Sequence, residues 1–282
     1  MSKTRSYLRE MIIKEWEESI GDRKDLDDKT LNRIVNAWMD DKNNSKHRFD
    51  VIKEEIPRAY KILDMASGTG TFVYYGLLNG YDCYGIDPAE WKFRFLKMKA
   101  IEYNYPKDWN DRFIKGYGEN LPFKDDSFDV VSSYQTLEHV QDIKKCIREM
   151  VRVTKSEGGI HIMCPDYRST FEGHYMLPWL PLFPKKLANI YLKARGRSTK
   201  YLTTLNYTTP KKIKKYLLDI GQEEKISLNI VDLNKKKFTK KIQEKNLCFL
   251  RNCYFVHYWR EYCKRLFRSE MNINYFIYVN KG

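Results

Sequence analysis

Apolar residues recur at helical spacing three times before the first strand-like run. Tyr7, Leu8, Met11, Ile12, Trp16 and Ile20 mark one amphipathic stretch over 6–19. Leu31, Ile34, Val35 and Trp38 mark a second, and residues 48–56, stopped by Pro57, a third. These predict helices that cap the next part of the chain and border its substrate mouth. Short apolar runs then alternate with helical patterns. Strands are predicted at Ile62-Leu63 ending in Asp64, at 81–87, near 112–115, and over 126–133, 160–164, 225–230 and 273–279. Helices are predicted over 71–79, around Trp91 to Met98, and over 142–153, 185–194 and 210–219. Such alternation calls for an α/β fold with a doubly wound, mostly parallel sheet and a ligand at the carboxyl ends of the strands.

The first predicted strand runs into Asp64-Met65-Ala66-Ser67-Gly68-Thr69-Gly70 and then a helix. Glycines there let the backbone approach a ligand, and the amides opening the helix can receive an acceptor-rich group. A dinucleotide fingerprint needs a third glycine at position 73, which is Val73. The second predicted strand ends at Asp87, where α/β nucleotide folds place the acid that holds ribose hydroxyls.

The ordered set ILDMASGTG, GIDP, GENLPFKDDSFDVV, LEHV and REMVRVTKSEGGIHIMCPDY, over roughly residues 58–168, resembles the motifs of the class I S-adenosylmethionine (SAM) methyltransferases. The resemblance implies a seven-stranded sheet closed by the last two strands as an antiparallel pair. It implies SAM as cofactor, with Asp64 and the turn Ala66, Ser67, Gly68 and Gly70 at its amino-acid end. Asp87, followed by Pro88, would take the ribose, residues 117–119 with Gly118 and Glu119 would lie by the adenine, and Gln135 falls on the cofactor side. Ala66 stands where glycine is usual, which is tolerable if its φ is negative. Tyr117 stands where many relatives have an acid.

Charge is unevenly placed. Residues 185–282 carry 23 Lys and Arg against 7 Asp and Glu, whereas residues 1–184 carry 28 against 30. A basic C-terminal part suits a polyanion, an anionic membrane surface or a phosphorylated substrate, or is simply a solvated surface. Within 247–268, Leu250, Tyr254, Phe255, Tyr258, Trp259, Tyr262 and Leu266 form an apolar stripe, expected to face the core. The six cysteines, at 83, 146, 164, 248, 253 and 263, form no CxxC pair, which argues against a zinc ribbon or a disulfide framework. The N-terminus lacks a signal-type segment and there is no apolar run of spanning length. The expectation is a cytoplasmic protein, with peripheral contact at the inner membrane face as an option.

Four prolines between 165 and 184 break the segment after the fifth strand, which is expected to form a substrate-binding insertion. The expected organisation is a helical cap over 1–56, a SAM-binding core over 57–165, the insertion over 166–221 and a basic part over 222–282 that completes the sheet. Methyl transfer to a hydroxyl needs a base. His139 and His174 are the catalytic candidates, with Tyr175 at the acceptor; Asp166 also lies near the strand ends. No metal is expected, but Glu138, His139 and His174 form an alternative metal set. Gln135-x-x-Glu138-His139 with His174 partly resembles the metal sites of small-RNA 2′-O-methyltransferases, with Gln135 in place of a glutamate. The run PDYRSTFEGHYMLPWLPLFPKKLA resembles bacterial methyltransferases of surface-polysaccharide synthesis, which implies a sugar or lipid-linked glycan acceptor. The alternatives are RNA as acceptor and a non-catalytic SAM-fold binding protein.

Overall fold

The computed structural model describes residues 1–42, 45–244 and 254–282. Three helices come first: α1 (Lys3–Ser19), α2 (Asp28–Met39) and α3 (Lys46–Glu55). The alternating part follows as β1 (Lys61–Met65), α4 (Thr71–Leu78), β2 (Asp82–Asp87), α5 (Glu90–Glu102), β3 (Phe113–Lys115), β4 (Phe128–Tyr134), α6 (Ile143–Val153) and β5 (Thr154–Pro165). The insertion holds β6 (Phe171–Glu172), β7 (Leu177–Pro178), α7 (Lys185–Ala194) and α8 (Lys200–Thr204). The chain closes with α9 (Pro210–Glu223), β8 (Ser227–Asp232), α10 (Leu233–Glu244), α11 (Tyr254–Arg265) and β9 (Asn272–Asn280).

The sheet has seven strands in the order β3-β2-β1-β4-β5-β9-β8. β1 to β5 run parallel, and β9 is antiparallel to both of its neighbours. Strand order reverses beside β1, so the carboxyl ends of β1 and β4 flank the crevice where α/β sheets bind ligands. Both faces of the sheet are covered. Leu63, Val131 and Ile160 pack with Ile147 and Met150 of α6 and Ile213 and Leu217 of α9. Ile62 and Val130 pack with Phe49 and Ile52 of α3, Phe72 of α4 and Leu96 of α5. Leu8, Trp16, Leu31 and Val35 bury the inner stripes of α1 and α2 in a further cluster that includes Phe95 of α5.

Local chemistry sets the helix ends. Asp142 caps α6 by accepting from the Lys145 amide, and Thr209 caps α9 just before Pro210 at its first turn. Gly80, at φ +80°, ends the α4 segment.

Two expectations change, at β5 and on α11. β5 begins at Thr154, well before Gly158-Gly159, with a register shift against β4 between Phe128 and Val130. The proline-broken insertion is packed, with Tyr175, Trp179, Phe183, Leu192 and Leu202 sharing one cluster. The described residues of the C-terminal stripe are not in the core: Trp259 is 49% exposed, and Tyr258, Tyr262 and Leu266 are half-buried. Leu250, Cys248, Cys253 and the side chains of Tyr254 and Phe255 lie outside the described residues. Cys83, Cys146, Cys164 and Cys263 are free thiols. Among the described residues, no helix is long and apolar enough to cross a membrane.

Candidate active site

Asp64 lies on the buried centre of β1 and its charge is met from the helical cap. Arg48 of α3 donates to the Asp64 carboxylate and, at 2.6 Å, to the Ser132 hydroxyl on β4. Its guanidinium lies 3.9 Å from the centre of the Phe72 ring. Asp64 is thus a buried anion locked to the first loop's floor, and Arg48 is a site residue that the motif pattern did not flag. A signal existed: Arg48, Ile52 and Glu55 share the buried face of α3, an unusual place for charge.

The turn after β1 is built from left-handed residues. Ala66 has φ +62°, Gly68 +54° and Gly70 +73°. The condition of a negative φ at Ala66 is not met: the methyl group is carried in the conformation that glycine favours. The two glycines differ in what surrounds them. A Cβ on Gly70 would lie 2.4 Å from Leu96 Cδ2, so that position is closed by packing. A Cβ on Gly68 would meet nothing within 4 Å, which leaves open space beside the turn for a ligand.

Asp87, at the end of β2, accepts from the Gly68 amide, the Ala89 amide and Lys92 Nζ, each at 3.0 Å. Pro88 beside it is exposed. The turn and Asp87 therefore form one hydrogen-bonded unit. Lys92 is a further residue that sequence reasoning missed. On the adenine side, Gly118 leaves no room for a side chain, since a Cβ there would lie 2.5 Å from Cys146 Sγ. Tyr117 is exposed, and Glu119 accepts from the Gln141 amide at 2.7 Å, so its carboxylate orders the approach to α6. Gln135, at φ +52°, turns its amide to Asn272 at 3.0 Å.

The other half of the cleft is assembled from distant segments. Glu138 and His139 come from the loop after β4, Glu172 and His174 from the insertion, and Tyr201 from α8. The His139 and His174 rings stand nearly perpendicular with centroids 4.9 Å apart. The Tyr201 hydroxyl lies 3.1 Å from either nitrogen of His139. His174 Nδ1 lies 2.7 Å from Glu172 Oε1, and the other Glu172 oxygen accepts from the Tyr175 amide at 2.7 Å.

These surroundings split the two imidazoles. Desolvation, followed by the charges of His174 and Lys92, pushes His139 down to about 3. Burial works against a charged His174 too, but Glu172, by charge and hydrogen bond, lifts it to about 9. Neutral His139 and cationic His174 therefore coexist at pH 7. Glu138 is fully enclosed, and that burial pushes it up to about 8.

Tyr175 does not belong to the cleft. It is 0% exposed, stacks with Trp179, and its hydroxyl accepts from the Leu202 amide at 2.9 Å. Its place at the acceptor is thus withdrawn, because its polar atom is used inside the insertion. Asp166 is likewise committed, holding the Arg168 guanidinium at 2.5 Å.

Residues 63–162 match the model of the methyltransferase domain family. The chain is 30% identical over 216 residues to a demethylmenaquinone methyltransferase of Thermotoga maritima, covering 73% of this chain and 86% of that relative. An uncharacterized methyltransferase of Bacillus subtilis is 32% identical over 103 residues, where the match covers 35% of this chain and 38% of the relative. Phosphoethanolamine N-methyltransferase 2 of Haemonchus contortus, solved with S-adenosyl-L-methionine, shares the fold with a TM-score of 0.52 at 16% identity, over 84% of this chain and 53% of that one.

Proposed function

Starting from the fact that this chain belongs to the class I SAM-dependent methyltransferases, we propose that it methylates a hydroxyl of a small organic acceptor, a sugar or sugar-linked group, bound between His139 and His174. The observation that carries this reading is the geometry of two imidazoles at one place: His139 stands beside the Tyr201 hydroxyl, and its ring centre lies 4.9 Å from that of His174.

SAM, when bound, supplies an electrophilic methyl group on a sulfonium. Asp64, the turn at Ser67 to Gly70 and Asp87 would hold it, and the open space at Gly68 fits such a ligand. Lys92 would yield its place on Asp87 to the ribose hydroxyls. A hydroxyl that takes a methyl group loses its proton, and His139 is the unprotonated group positioned to receive it. His174, held cationic by Glu172, would orient the acceptor as a hydrogen-bond donor.

A quinone acceptor is the second reading, favoured by the match along 86% of a demethylmenaquinone methyltransferase. Glycolipids and quinones both sit at membranes, and peripheral contact with an anionic surface belongs to this proposal. Leu180, Leu182, Leu187 and Ile190 are 47–65% exposed next to the exposed Lys185, Lys186 and Lys193.

The test is labelled SAM with nucleotide sugars, an extracted glycolipid fraction, a demethylated quinone and total RNA in separate reactions. Label in the sugar fractions supports the reading; label in the quinone or RNA alone replaces it. His139→Ala should lower kcat about 10²–10⁴-fold while SAM still binds, as expected for loss of a general base.

A further inference from the structure

We propose that Glu138, His139 and His174 form a binding site for a divalent first-row transition cation on the acceptor side of the cleft. This deepens the function proposed above and rests on its placement of the acceptor.

The independent sign is Glu138. It is 0% exposed, yet neither of its carboxylate oxygens has a hydrogen-bond partner. A buried carboxyl group left this way is costly, and buried polar groups are nearly always satisfied by protein, water or an ion. Around it lie donors suited to a cation. One ligand atom each from Glu138, His139 and His174 fall within 4.8 Å of one another, and Glu138 Oε1 is 3.6 Å from His139 Nε2. Ligand atoms of a tetrahedral centre with bonds of about 2.0–2.2 Å lie roughly 3.3 Å apart, so modest side-chain rotation closes the set.

The surrounding groups are arranged as supports for such ligands. Glu172 engages His174 at Nδ1, which leaves Nε2 as the free nitrogen, and Glu172 is itself fixed by the Tyr175 amide. This is the carboxylate–imidazole relay that orients metal-binding histidines. The Tyr201 hydroxyl lies beside the His139 ring, 3.1 Å from each of its nitrogens. Two imidazoles and one carboxylate favour zinc, manganese, iron or cobalt over magnesium or calcium. Three protein ligands leave positions open for acceptor hydroxyls, whose acidity a cation raises. With the cation bound, His139 passes from proton acceptor to ligand.

The experiment uses the full chain stripped with EDTA, without SAM or acceptor. Co²⁺ is titrated while its visible absorption is followed, and Zn²⁺ binding is measured by equilibrium dialysis. One ion per chain is expected. Glu138→Gln and His174→Ala should abolish binding at the same ion concentration, and Glu172→Gln should weaken it about 10–100-fold. Glu138→Gln keeps the side-chain shape and removes a buried acid, so it should stay folded and bind SAM as before, which serves as the control. Wild-type protein that binds neither ion, or a folded Glu138→Gln that binds as well as wild type, overturns the site. Oxygen methylation by a wild type that binds neither ion overturns the site and leaves the proposed function standing; a bound ion with no oxygen acceptor methylated does the reverse.

Discussion

The two halves of the cleft are built by different rules. On the cofactor side, each charged group has a partner: Asp64 has Arg48, and Asp87 has two amides and Lys92. On the acceptor side, an acid without hydrogen bonds lies against two imidazoles of opposite protonation tendency. The first half sits at the ends of adjacent strands with its carboxylates met by cations and amides, Arg48 Nε being left over, as suits a constant ligand. The second is gathered from loops and holds its polarity in suspense, as suits a partner that brings its own charge or protons. Lys92 belongs to both, since it pairs with Asp87 and its charge helps to keep His139 neutral.

The sharpest way to break the comparison is to unbalance the satisfied side. Arg48→Ala would leave Asp64 buried without its cation and Ser132 without its donor. Loss of one partner of a buried pair costs about 3–5 kcal/mol. Denaturant unfolding should therefore show a large loss of stability. If Arg48→Ala unfolds like the wild type, Asp64 is not held as an ion and the contrast between the halves collapses.

Next in size is Asp87→Ala, which on the proposed reading removes charge-assisted hydrogen bonds to the ribose. SAM affinity should fall by about 1.5–3 kcal/mol, roughly 10–100-fold, in calorimetry. Unchanged affinity in a folded variant would reject the assignment of the ribose acid.

The unsatisfied side is exposed by pH. His174 is lifted to about 9 from an ordinary value near 6.5, so protonation favours the folded state. Its stabilisation is complete below about pH 6.5 and fades as pH rises towards 9. Glu138, raised to about 8 from 4.5, works in the same direction: its contribution falls as pH rises from about 4.5 to about 8, so it acts in the lower part of that window. Metal-free protein should thus lose on the order of 3–5 kcal/mol of stability between pH 6.5 and 9. Thermal melts of the wild type and His174→Gln across that range check it, and the variant should show the shallower slope. Equal slopes would mean that Glu172 does not hold the proton on His174.

The same contrast explains what was legible in the chain. Asp64, the glycine turn and Asp87 sit at the ends of adjacent parallel strands, so the motif places them next to one another and the fold keeps them there. The parallel strands and the helical cap follow from periodicity that packing then respects, and the closing antiparallel pair from the resemblance. Tyr201 could not be found this way, because its contact with His139 spans 62 residues. Glu172 was nearer to reach: it lies two residues from His174, close enough to engage it across a short loop. Tyr175 was misplaced because an aromatic residue beside a histidine looks the same in sequence whether its hydroxyl meets a substrate or the Leu202 amide. The α11 stripe failed for a related reason. Helical spacing defines an apolar face but not what covers it, and Trp259 remains half exposed.

The smallest effect lies in the turn, where Ala66 and Gly70 share a left-handed backbone with opposite tolerance. Gly70 must lack a side chain, because a Cβ there would overlap Leu96 and crowd Phe113. Ala66 carries one at φ +62°, where a methyl group costs about 1–2 kcal/mol. Replacing it with glycine relieves that strain but loosens the unfolded chain, which returns about 0.4–1 kcal/mol. Ala66→Gly should therefore gain roughly 0.5–1 kcal/mol, a rise in Tm of about 1–3 °C for a domain of this size. SAM affinity should hardly move, since the amides of Ser67 and Gly68 keep their partners Ile86 and Asp87. A less stable Ala66→Gly would mean that the methyl group packs usefully and that the turn is less strained than its φ implies.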